Sequence, residues 1–90
     1  MNLYKLTQED NDGYDTYDSC IVAAENEERA KLIHPCLEDS NPWTPNLFDW
    51  AWNRKDSVWA DKPENVTAEL IGIAIDGTES GVILSSFNAA

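Results

Sequence analysis

The sequence predicts a small α+β protein, in which an antiparallel sheet of about four strands carries one short helix on one face. Two observations lead to this class. Four short segments have the alternating or β-branched character of strands, and residues typical of turns separate them. A segment between the second and third strands has the cap and the charge pattern of a helix. The predicted order is therefore β-β-α-connector-β-β within a single domain, residues 1–90.

The first two strands are predicted to form a hairpin across an acidic loop. Residues 2–7 (NLYKLT) alternate in polarity, which indicates a strand. Residues 19–24 (SCIVAA) form a compact run with β-branched members, which indicates a strand buried on at least one face.

The predicted helix covers residues 27–34. Asn26 is suited to cap its first turn, and Glu27 and Glu28 favour the positive end of the helix dipole. His34 would lie in the last turn, and Pro35 would end the helix.

Residues 35–63 are predicted to be an irregular connector rich in Trp and Pro, with a helical turn or two at residues 47–53. The last third is more regular. Residues 66–75 and 82–87 have strand patterns, and DGTESG between them is typical of a turn, so an antiparallel hairpin is expected there.

The composition argues for a folded chain with a strongly acidic surface. Of its 90 residues, 42% are hydrophobic, while 17 acidic and 6 basic residues give a formal net charge of −11. Binding to nucleic acid or to anionic lipid relies on Lys and Arg, so neither is expected to be a direct partner. A basic protein is the expected counterpart.

The sequence also predicts a cytoplasmic protein. Its N-terminus has no basic segment followed by an apolar one, and no stretch approaches the roughly 20 apolar residues of a membrane span. In that setting Cys20 and Cys36 are expected to be reduced thiols.

Residues 9–18 (EDNDGYDTYD) are the principal candidate for a binding surface. An EF-hand is rejected: with Gly13 as the loop glycine, the first and last ligand positions fall on Gln8 and Ser19. A solvated turn and a protein-binding acidic surface remain. For the second interpretation the expected contact residues are Glu9, Asp10, Asp12, Asp15 and Asp18, with Tyr14 and Tyr17 as aromatic anchors.

Four tryptophans fall close together in the connector. They are expected to complete the small core, although a chain of this size can hardly bury all four. Any exposed indole beside Arg54 and Lys55 would form a second contact patch, for which Trp50, Trp52 and Trp59 are the candidates.

Metal and catalytic sites have little support. Cys20, His34 and Cys36 are too few for a structural zinc site, and no paired C-x-x-C occurs. No cofactor motif or nucleophile–base pattern is present, so the chain is expected to be no enzyme, with no metal and no cofactor.

Four stretches of the chain, LYKLTQ, GYDTYDSCIVAAENEERAKLIHP, AELIGIA and GVILSSFNA, resemble a group of small acidic proteins carried by bacteriophages and prophages. The resemblance covers roughly residues 2–35 and 66–90. It implies a phage context in a bacterial host, and no residue role comes with it.

Together these observations predict a non-enzymatic phage-type protein that binds and inhibits a basic host protein, one that handles nucleic acid. By analogy with other small acidic phage proteins, it would act as a nucleic-acid mimic against a host defence complex. Two alternatives stay open: a structural module that self-associates as a homo-oligomer, and a metal- or small-ligand-binding domain.

Overall fold

The computed structural model describes residues 1–88 and contains four strands and two α-helices. Two short 3₁₀ turns, Pro35–Leu37 and Pro63–Asn65, interrupt the connector. The main elements are β1 (Asn2–Thr7), β2 (Thr16–Ala24), α1 (Glu27–Lys31), α2 (Pro45–Trp52), β3 (Thr67–Ile73) and β4 (Gly81–Asn88).

The four strands form one antiparallel sheet in the order β3-β1-β2-β4. Strands β1 and β2 are the central hairpin, with Leu6 opposite Cys20, so the hairpin predicted across the acidic segment is confirmed. Helix α1 packs on the sheet against β1, β2 and β3, which confirms the predicted α+β class. None of the helices within residues 1–88 has the length and apolar character that crossing a bilayer requires.

The predicted hairpin between residues 66–75 and 82–87 is wrong. Strands β3 and β4 lie on opposite edges of the sheet, with β1 and β2 between them. Residues 74–80 carry the chain across the end of the sheet, where the Ala74 N–H donates to the Met1 carbonyl oxygen at 2.9 Å.

The turn chemistry that suggested this hairpin is nevertheless present. Gly77 has a φ of +88°, a conformation that favours glycine, and the Thr78 N–H donates to the Ile75 carbonyl oxygen at 3.1 Å. A turn signal reports a local reversal of the chain and does not say which strands pair. Here β3 pairs with the outer edge of β1, and β4 pairs with the outer edge of β2.

The core lies between the sheet and the helix-bearing segments. Side chains that alternate along β1 and β2 point into it, as the predicted strand patterns require. Helix α1 and the end of the connector close it from the other side. Its most buried large members are Trp59, Leu6, Ile33, Val22 and Cys20.

Helix α1 starts where the sequence predicts and ends earlier. The Asn26 side chain accepts the Arg29 N–H at 2.9 Å, which confirms the predicted N-cap. The helix ends at Lys31, because the next two N–H groups bond to carbonyls three residues back and tighten the chain into a turn. His34 is then extended (φ −91°, ψ 133°), as expected for a residue before proline, so it is not part of the predicted helix.

The helical turn or two predicted at residues 47–53 is confirmed as α2, which has eight residues and begins earlier, at Pro45. Pro45 occupies the first turn of α2, where its missing N–H is not needed. Trp52 at its end donates its indole N–H to the Leu32 carbonyl oxygen at 2.9 Å. This bond fixes the connector to the end of α1.

Candidate protein-binding surface

The loop that joins β1 to β2 is held in shape by Gln8, which is only 8% exposed. Its side-chain NH₂ donates to the carbonyl oxygens of Asn11 (2.6 Å) and Tyr17 (3.2 Å). Its side-chain oxygen accepts the Asn11 N–H at 2.9 Å. The acidic loop is therefore an ordered turn, and the hydrogen bonds of the Gln8 side chain stabilise its base.

One half of this loop is attached to the connector. The Asp10 carboxylate accepts the Asp61 N–H at 2.9 Å and the Asn65 side-chain NH₂ at 2.8 Å. The Asp61 N–H and, less strongly, Asn65 lower the pKa of the Asp10 carboxyl group below its ordinary value. The Asn11 side chain also donates to the Trp59 carbonyl oxygen at 2.6 Å. Asp10 thus has a structural role within the loop.

The other half of the loop is attached to the end of β4. Asp15 has a φ of 60°, and its N–H donates to the Asn88 carbonyl oxygen at 2.6 Å. The Asn88 side chain donates to the Gly13 carbonyl oxygen at 3.0 Å. The Thr16 hydroxyl donates to the same carbonyl oxygen at 2.7 Å.

Four carboxylates of the acidic segment are exposed and make no side-chain hydrogen bond within residues 1–88: Glu9, Asp12, Asp15 and Asp18. Tyr14 is 74% exposed and lies among them. Asp18 belongs to β2, which begins at Thr16 and not at the predicted residue 19. A register shift leaves Asp18 without a register partner in β4.

Tyr17, the second predicted anchor, is placed differently from Tyr14. It lies in β2 and is half-buried, with its ring edge-on to Phe87 at a centroid distance of 4.9 Å. Burial, and then the neighbouring Cys36 thiol, raise the pKa of its phenol. Tyr17 therefore packs under the acidic surface, while Tyr14 projects from it.

The three tryptophans proposed as secondary contacts have three different environments. Trp50 is 53% exposed, and the Arg54 guanidinium lies 4.7 Å from its ring centroid. Trp52 is half-buried and packs edge-on to His34 at 4.9 Å. Trp59 is 1% exposed, so its assignment to a contact surface is wrong: it fills the core between the connector and the sheet.

A cluster that spacing along the chain could not reveal surrounds Cys36. The Arg54 guanidinium donates to its sulfur at 3.3 Å, and the His34 Nδ1 accepts its backbone N–H at 3.0 Å. Burial is the main reason that the pKa of the Cys36 thiol is raised, and it raises the pKa of the Cys20 thiol to about 12. Both free cysteines are therefore protonated at neutral pH, which makes them poor nucleophiles.

Sequence reasoning also missed an acidic cleft at the beginning of β4. This open cleft of about 520 Å³ is lined by three carboxylates, Glu38, Asp39 and Glu79, and by Trp43. Its carboxylates come from two segments that read in the sequence as turns, EDS and DGTES. Only the crossing of the connector beside β4 brings them together. Within residues 1–88, no group of three or more His, Cys, Asp or Glu side chains is arranged to hold a metal ion.

No protein-family model, curated protein or solved structure matches this chain.

Proposed function

We propose that the protein is a non-enzymatic inhibitor, which binds a basic, nucleic-acid-handling protein of a bacterial host. Its carboxylates would occupy a groove that normally receives phosphates. The bacterial setting is supported by the resemblance to small acidic phage proteins.

The observation that carries this proposal is the distribution of charge. All 17 acidic residues occupy exposed positions. In the described part of the chain only two of them form ion pairs, Glu27 with Lys31 and Asp56 with Arg54. The other carboxylates form no ion pair within residues 1–88, and their combined field attracts a positively charged surface and speeds its association at low salt.

The acidic segment is the part of this surface best prepared for a partner. Internal hydrogen bonds already fix its backbone at both ends, so little conformational entropy is lost on binding. Exposed Tyr14 adds an aromatic ring of low side-chain entropy at its centre.

The test is capture from a nuclease-treated bacterial lysate, followed by a competition assay with each captured protein and its nucleic acid. We expect a basic protein that releases its nucleic acid when this protein is added, with affinity falling about tenfold or more as salt rises. The loop variant for this assay removes the four free carboxylates and leaves Asp10 in place: Glu9→Gln, Asp12→Asn, Asp15→Asn and Asp18→Asn.

A matched variant removes the same number of charges from α1, α2 and β3, away from the loop: Glu27→Gln, Glu28→Gln, Asp49→Asn and Glu69→Gln. The loop variant should lose at least tenfold in affinity, while the matched variant stays within about threefold. Equal losses in the two variants would show that net charge acts without a defined site. Full competition by the loop variant would refute the proposed surface.

A second candidate function is self-association through an edge strand. It is favoured by the exposed aliphatic side chains of the edge strands, such as Leu70 and Ile73 on β3, which are 60% and 80% exposed. Sedimentation equilibrium separates the two: a monomer at all concentrations argues against self-association.

A further inference from the structure

We propose that the free edge of β4 receives an extended segment of the partner as a fifth strand, and that this segment has an uncharged middle with Lys or Arg at both ends. The inference rests on the proposed function and specifies how a basic partner would be bound. Strand addition of this kind takes affinity from backbone hydrogen bonds and specificity from alternate side chains.

The first observation is that β4 has an unused edge. It pairs with β2 on one side only. Within residues 1–88, no backbone hydrogen bond joins residues 81–87 to any segment on the other side. The register with β2 shifts twice, at Ile83 on β4 and at Asp18 on β2, and every residue of β4 from Leu84 onward has a partner in β2.

The second observation is that this edge is apolar and carries neither charge nor proline. Ile83, Leu84 and Phe87 are 51%, 60% and 46% exposed. The sequence Ser80–Ala90 has no charged residue and no proline, in a chain of which 26% of residues are charged. Lys and Pro are the residues that usually protect an edge strand from pairing.

The third observation identifies the occupant, because carboxylates lie at both ends of this neutral strand. At its end the acidic loop is hydrogen-bonded to Asn88 and presents Asp12 and Asp15. At its beginning lies the acidic cleft with Asp39 and Glu79, while Glu38 of the same cleft reaches the middle of the strand, where it accepts a hydrogen bond from the Ser85 hydroxyl at 3.2 Å. A bound strand would therefore have its middle on apolar side chains and both ends beside carboxylates.

The other sheet edge lacks this pattern of charge. Strand β3 is also exposed, but on the sheet face that it shares with β1 its Glu69 is the register partner of Lys5, and both line one shallow groove. Cation and anion offset one another there, so β3 does not select a basic segment.

A second copy of the chain is a poorer occupant of β4 than a basic segment. Two antiparallel β4 strands related by a two-fold axis would bring the acidic loop of one copy beside the acidic cleft of the other. Like charges would then oppose each other at both ends of the interface.

The distances set the length of the segment. Strand β4 has eight residues and spans about 27 Å at about 3.4 Å per residue. A matching ten-residue probe is Lys-Arg-Thr-Val-Ser-Ile-Thr-Val-Arg-Lys. A control peptide carries proline at two of its middle positions, which keeps the charge and removes backbone donors.

The experiment is isothermal titration calorimetry of both peptides with the whole protein and two variants. Leu84→Lys places a cation on the β4 edge, and Ile73→Lys places the same charge on the β3 edge at a similarly exposed site. We expect the probe to bind the unaltered protein, with at least a tenfold loss for Leu84→Lys and for the proline peptide. Ile73→Lys should stay within about threefold, because it lies on the opposite edge.

Four results would overturn the inference. One is no binding of the probe to the unaltered protein, and another is an equal loss in the two lysine variants. The third is a dimer in sedimentation that Leu84→Lys dissociates, which would make a second copy the occupant. If the Leu84→Lys variant binds the ten-residue probe normally while the loop variant still binds the captured host protein more weakly, the strand inference fails and the proposed function stands.

Discussion

At the scale of single residues, neighbouring carboxylates of one acidic segment have different environments. Asp10 accepts two hydrogen bonds from the connector, while Asp12 makes none within residues 1–88 and faces solvent. The sequence cannot separate them, because Asp61 and Asn65 lie far away along the chain. A carboxylate that accepts charge-assisted bonds stabilises the fold, and an unpaired exposed one remains available to a partner.

His34 is the residue whose protonation should govern stability in mild acid. Burial, and then the nearby Arg54 guanidinium, lower its pKa from 6.5 to about 4, with Asp56 opposing. As the pH falls below 6.5, the unfolded chain takes up a proton that the folded protein accepts only near 4. The contribution of neutral His34 to the free energy of unfolding is therefore fully present above about pH 6.5 and is lost as the pH falls towards 4. The loss between pH 7 and pH 5 is about 2 kcal/mol.

Urea unfolding of the unaltered protein and of His34→Asn at these two pH values tests this expectation. Asparagine can still accept the Cys36 N–H but does not titrate. The variant is expected to be less stable at pH 7, because it loses the contact with Trp52, yet to lack the loss of about 2 kcal/mol on acidification. Equal losses in the two proteins would rule out His34 as the titrating group.

At the scale of elements, local patterns placed the strands and could not place their partners. The β1–β2 hairpin follows from two adjacent strand patterns and is confirmed. The cap on Asn26 was equally local and is also confirmed. The pairing of β3 with β1 and of β4 with β2 depends on contacts distant in sequence, which periodicity does not encode.

The strand order gives a direct expectation for nuclear Overhauser effects between backbone protons. Cross-strand effects should join Leu6 to Ala68 and Cys20 to Ser85, which are register partners in the antiparallel sheet. Effects between β3 and β4 should be absent, since two strands separate them. A ladder of effects between β3 and β4 would restore the simple hairpin and refute this topology.

At the same scale, only half of the proposed binding surface could be predicted from the sequence. The acidic segment and Tyr14 are contiguous and could be proposed from composition. The acidic cleft could not, because Glu38 and Glu79 approach each other only when the connector crosses beside β4. Trp59 shows the opposite error: its place in a Trp-rich stretch suggested a contact, whereas folding buries it in the core.

At the scale of the whole molecule, the proposed binding depends on both the net charge and the free edge of β4. A net charge of −11 opposes self-association and attracts cations from every side, so charge alone gives no defined orientation. In the proposed complex, the uncharged edge of β4 between two acidic ends would supply that orientation. We therefore expect the acidic segment and the β4 edge to form one continuous surface for a basic, extended partner.

The most direct test of this claim is a nuclear magnetic resonance titration of the ¹⁵N-labelled protein with the ten-residue basic probe at low salt. The claim predicts that the amide shifts concentrate on residues 9–18 and 81–87, and that they weaken together as salt is added. Shifts concentrated around Trp50 and Arg54, or along β3, would contradict it, as would shifts in the acidic segment with none in β4.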